Sequence, residues 1–86
     1  MQFTSDPAVY TVNTTVAFRA IYKGAPVTCE ISDIALQDHF GVQTNQPHDL
    51  VAAFNANVAA IRAKAVAKLP QRIDSGLPPL LSSNDF

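Results

Sequence analysis

One cysteine, Cys29, two histidines, His39 and His48, and the acids beside them, Asp38 and Asp49, are the residues whose types could carry chemistry. Cys29 with His39 would make a thiolate–imidazole pair, with Asp38 as the acid that orients the ring. A catalytic thiol needs partial exposure and a nearby positive group to lower its pKa. The stretch "VTCEI" offers neither, because alternation puts Cys29 on the same side as Val27 and Ile31, facing a core. Asp38 and His39 are adjacent, and adjacent helix residues do not face each other. The residues therefore favour a buried structural cysteine over a Cys29/His39 enzyme, which stands as the alternative.

A metal could be held by His39 and His48 with Asp38 or Asp49 across the loop between two helices. Zinc takes three protein ligands or more, and these two histidines lack a tight repeated spacing, so solvated histidines are the better reading. The glycines stand apart at 24, 41 and 76, so no loop cradles a phosphate. No cofactor, metal or catalytic set is expected. Arg62, Lys64, Lys68 and Arg72 gather most of the positive charge at one helix end, where they complement the helix dipole. With a net charge of −1, nucleic-acid binding through them is the weaker use.

The elements that must position these residues belong to one small domain spanning 1–86. Hydrophobic residues make up 48% of the chain, enough for a core without disulfides. No apolar run approaches the roughly 20 residues of a membrane span. The start "MQFTSDPAVY" lacks the pattern of a signal peptide, and a lone cysteine fits a reducing compartment, so a cytoplasmic setting is expected.

"TTVAFRAIY" alternates as a half-buried strand, with Val16, Phe18, Ala20 and Tyr22 on one face. With "VTCEI" it predicts a hairpin, 14–22 with 27–31, across Lys23-Gly24-Ala25-Pro26. A tip at Gly24-Ala25 sets Phe18 across from Ile31, Ala20 from Cys29, and Arg19 from Glu30 as an ion pair. Since Pro26 has no N–H to close a two-residue turn, a four-residue loop in that register is expected. "MQFT" predicts a short edge strand, and Leu80 to Ser82 a short last one returning to the sheet edge.

Ser32 suits a helix N-cap and Gly41 a stop, predicting a helix over about 33–40. Pro47 suits a first turn and Pro70 an end, predicting a single second helix over 47–69. Its buried stripe is Leu50, Phe54, Val58, Ile61, Ala65 and Leu69. Its far side carries Ala52, Ala56, Ala59, Ala60, Ala63 and Ala67, with Ala53 among them. A face meant for water usually bears Glu, Lys or Gln, so this one reads as helix propensity or as a contact surface.

The run "GAPVTCEISDIALQDHFG", then "AAFNANVAAI", then "LLSSNDF" resembles a family of small bacterial proteins, domain of unknown function 1488 (DUF1488). The positions carrying the likeness are Gly24, Val27, Cys29, Ile31, Ser32, Ala35, Leu36, Asp38, Phe40, Gly41, Phe54, Asp85 and Phe86. Asp33-Ile34 departs from the pattern, where an acid directly before the alanine would be expected. The resemblance implies an α+β domain with an antiparallel sheet and carries no activity, substrate or catalytic residue. The expected architecture is an antiparallel sheet packed on one face by two helices. The expected function is a non-enzymatic interaction module acting through the alanine face, as a homodimer or with another protein partner, and without membrane contact.

Overall fold

The computed structural model describes all 86 residues. The order is β1 (Gln2–Phe3), β2 (Val9–Tyr10), β3 (Thr15–Tyr22), β4 (Ala25–Ser32), α1 (Asp33–Phe40), α2 (Pro47–Ala56), α3 (Val58–Asp74), β5 (Leu80–Leu81) and a closing 3-10 turn (Ser83–Asp85). The class is α+β, as the alternation and helical periodicities predict. β1 and β2 both pair with one edge of β3, β4 lies along its other edge, and β5 closes the far side of β4. Val16, Phe18, Ala20, Cys29 and Ile31 face the helices and meet Leu36, Leu50, Phe54, Ile61, Leu69 and Leu81 in one core.

The hairpin forms, but two residues away from the expected register. Tyr22 pairs with Ala25, Ala20 with Val27, Phe18 with Cys29, Val16 with Ile31 and Arg19 with Thr28. The tip is Lys23-Gly24, both at positive φ (51° and 77°), as a tight two-residue turn between twisted strands requires. Pro26 is harmless because of where its nitrogen points. The Glu30 N–H, four residues on, bonds outward to the Pro79 carbonyl rather than to β3. Alternation along an antiparallel strand gives Pro26 that same outward direction, so no β3 bond is lost. The expected Arg19–Glu30 pairing is replaced by Arg19 opposite Thr28 and Glu30 opposite Ala17. β5 runs parallel to β4, pairing Leu80 with Glu30 and Leu81 with Ile31, so the sheet is mixed rather than wholly antiparallel.

The first helix matches its prediction: the Ser32 hydroxyl accepts from the Ala35 N–H at 3.1 Å, and Gly41 ends it at φ 74°. The second does not run unbroken over 47–69. It divides at Asn57 into α2 and α3, whose axes bend by 82°. The Asn57 side-chain amide donates to the Ala53 carbonyl at 2.8 Å, the acceptor its own backbone N–H would use in a continuous helix. That N–H bonds to Phe54 instead. Nor does Pro70 end the helix, which continues to Asp74. Pro70 follows the half-exposed Val66 on the outer side of α3, where a missing hydrogen bond costs least. Beyond it, Arg72 bonds to Asp85 and Ile73 packs on the core, so tertiary contacts hold the last turn. No single helix is long and apolar enough to cross a membrane.

Around Gly24 there is open space where a side chain could go, so replacing it tests backbone conformation alone. Gly24→Ala should destabilise the protein by about 1 kcal/mol, read as a lower urea midpoint at unchanged slope. An unchanged midpoint would refute the turn assignment.

Candidate functional site

Cys29 is fully buried, and burial pushes its thiol up to about 11. It lies in the core beneath the helices, whereas His39 is exposed on α1 and its Nε2 turns to Ser83. The structure does not bring the two together as a reactive pair.

His39, Asp38 and Ser83 do meet, at the junction of α1 with the closing 3-10 turn. The Ser83 hydroxyl donates to Asp38 Oδ2 at 2.6 Å. His39 Nε2 lies 2.9 Å from the Ser83 carbonyl oxygen and 3.2 Å from its hydroxyl. A carbonyl only accepts, so Nε2 carries the proton and its lone pair is not available to the serine. A hydrolytic serine gives its proton to the imidazole, which the acid orients. Here the serine gives it to the acid. The cluster ties the chain's last residues to α1.

Phe86 strengthens the tie. The His39 ring stacks on it at 5.3 Å between centroids, and Phe40 meets it edge-on at 5.4 Å. Lys64 Nζ sits 5.6 Å above the same ring. On the other side of the turn, Asp85 is buried and forms a two-pronged ion pair with Arg72. Asp85 also accepts from the Ser82 N–H at 2.7 Å, and Arg72 donates to the Leu80 carbonyl at 2.9 Å. The guanidinium, helped by the Ser82 amide, holds the Asp85 carboxyl at about 2, below its ordinary 3.8. The sequence offered Asp85 and Phe86 only as part of a resemblance; their contacts depend on long-range folding that no local pattern reports.

The remaining candidates are dispersed. His48 pairs with its neighbour Asp49 at 3.2 Å on the surface. Asp49 also accepts from Thr44 at 2.6 Å, beside an open groove of about 360 Å3 lined by Phe40, Val42 and Ala53. No three side chains of the histidine, cysteine and acidic types converge anywhere. Of the cations, Arg72 is paired with Asp85. Arg62 reaches the Thr4 carbonyl and covers the Phe3 ring, and Lys64 lies over Phe86. The basic helix end is therefore largely engaged with the chain itself.

Ala52, Ala56, Ala59, Ala60, Ala63 and Ala67 are all exposed, while Ala53 is half-buried against the core. The bend at Asn57 separates Ala52 and Ala56 from the other four, so the expected continuous alanine face is confined to α3. There Val66, half exposed, joins Ala59, Ala60, Ala63 and Ala67. Around the helix, Arg62 flanks this strip on one side and Lys64, Lys68 and Gln71 on the other.

What these features define is a small α+β domain with a well-tied terminus and an uncharged helix surface. The chain belongs to the family described as "Protein of unknown function (DUF1488)", which matches residues 1–76. The match takes in the hairpin and all three helices and stops short of Asp85 and Phe86. No curated protein and no solved structure matches the chain.

Two outcomes test this picture. Native protein at neutral pH should resist thiol labelling at Cys29 and react promptly in denaturant; fast native labelling would contradict the burial. The Asp85 carboxyl is lower in the folded chain than unfolded, so its stabilisation is present above the unfolded value and lost as pH falls through the folded one. Wild type should lose stability between about pH 4 and about pH 2. Asp85→Asn should be less stable at neutral pH and show a shallower acid loss in thermal melts across that window. Parallel pH profiles for the two proteins would remove Asp85 from the account.

Proposed function

We propose that this protein is a non-enzymatic interaction module that docks a protein partner through the exposed face of α3. The observation that supports this reading is a helix surface carrying Ala59, Ala60, Ala63, Val66 and Ala67 without a single charge among them. Small side chains let a second helix approach closely, and an uncharged strip costs little to desolvate.

The rims of the strip bear on what docks there. Arg62 lies along one edge and Lys64 and Lys68 along the other, and α3 has no acid before Asp74. Asp74 is already held by Lys23 at 3.1 Å and by the Tyr22 hydroxyl at 2.9 Å. Two copies of α3 laid face to face, parallel or antiparallel, would set cations against cations. A partner helix with acidic flanks satisfies both rims. A homodimer through α3 is the competing outcome.

A photo-crosslinking residue placed at Ala63 in the native host should capture a discrete partner, whereas the same residue at the exposed loop position Asn45 should not. Ala67→Glu should abolish the adduct while leaving the circular dichroism spectrum intact. Equal labelling at both positions, or an adduct with another copy of the chain, would overturn the partner assignment.

A further inference from the structure

The side of the sheet turned away from the helices carries a second uncommitted surface. Register places Val9, Ala17, Arg19, Ile21, Thr28, Glu30 and Leu80 together on it. An open antiparallel face usually alternates to polar residues. This one keeps Val9 at 54% exposure, with Pro26 exposed and Ile21, Glu30 and Leu80 half-buried around a buried Ala17.

Two charges stand within that apolar setting, and each lacks a charged partner. The chain's ion pairs are Lys23–Asp74 and Arg72–Asp85, and the His48 ring lies beside Asp49, which leaves Arg19 and Glu30 out. Arg19 is exposed, and its side chain makes no hydrogen bond. Glu30 accepts one bond from the Thr15 hydroxyl through Oε1, leaving its other oxygen free. They do not pair with each other: Arg19 sits opposite Thr28 and Glu30 opposite Ala17, and Glu30 turns to the Thr15 hydroxyl instead.

We infer that this sheet face is a contact between two copies of the chain, in which Arg19 of each copy meets Glu30 of the other. A twofold axis lying between two facing sheets, midway between the two residues, superposes each charge on its opposite. One cation and one anion on a single face are self-complementary under that operation and under no like-for-like overlay. Only β3 and β4 are eight residues long; with the two-residue β1, β2 and β5 beside them the sheet gives about 350 Å2 in plan on each copy, the scale of a weak contact that forms at high protein concentration. The α3 surface lies on the other layer and stays free for its own partner.

Light scattering at about 500 μM protein should report a mass near twice the 9.2 kDa of one chain, falling on dilution or with added salt. Arg19→Glu and Glu30→Arg should each be monomeric, because each sets like charges together. Mixed in equal amounts they should form a heterodimer, since both opposed pairs are then restored. Circular dichroism checks that each variant folds. If Glu30→Arg does not, Glu30→Gln keeps the acceptor for Thr15 and should weaken the wild-type dimer about tenfold. A monomeric wild type, dimers that persist in folded variants, or a mixture that stays monomeric would each overturn the inference. Ala63→Glu should leave the dimer intact, which separates this contact from one through α3.

Discussion

The Arg72 guanidinium holds together parts of the chain that no local rule would join. It reaches from the last turn of α3 to the Asp85 carboxylate and to the Leu80 carbonyl, so one side chain fixes a helix end, an edge strand and the closing turn. An ion pair withdrawn from water is favourable only when its remaining hydrogen-bonding capacity is used. Here the Ser82 N–H supplies that use at Asp85. The clasp also explains why α3 persists past Pro70: the residues beyond it are anchored at both Arg72 and Ile73. With the segment seated, Leu81 is fully buried and the sheet gains its parallel edge.

How much of this the residues announce depends on which physical signal each feature leaves. Side-chain alternation reports faces, and every face came out as expected: Cys29 and Ile31 inward, Arg19 and Glu30 outward. Alternation has a period of two, so it is blind to a two-residue slip, and the hairpin moved by that amount. One cue singled out the other register, the opposite charges at Arg19 and Glu30, and the missing N–H of Pro26 argued only for a wider loop within it. The chain adopts a Lys23-Gly24 tip with both residues at positive φ, and the ion pair it forgoes is an exposed one worth a few tenths of a kcal/mol. Pro26 turns out to constrain only the outward edge.

The helices teach a related lesson. Of the expected stripe, Leu50, Phe54, Ile61, Ala65 and Leu69 are buried and Val58 is half-buried against the core, so the periodicity predicted sidedness correctly across a break it did not reveal. The break resides in one asparagine amide outcompeting one backbone N–H at the Ala53 carbonyl. Asn57 is a weak helix former with a side chain suited to that competition, a signal present in the sequence but outvoted by the alanines around it. The long reach of Ser83 to Asp38 and His39 left no such trace, because those residues are 45 and 44 positions apart.

The distribution of charge across the folded chain narrows what can be functional. Asp38 receives the Ser83 hydroxyl, Asp74 is tied to the hairpin tip, Asp85 to α3, and Arg62 and Lys64 lie over aromatic rings. Each of these groups holds one element of the chain to another. The thiol that could have acted is submerged, with a pKa far above neutrality. Two surfaces remain that intramolecular contacts do not satisfy: the uncharged strip of α3 and the sheet face bearing Arg19 and Glu30. They lie on opposite layers, so a single domain of this size can hold one neighbour on each without either contact obstructing the other. In the two contacts proposed above, specificity would come from the charges that border or punctuate the apolar ground.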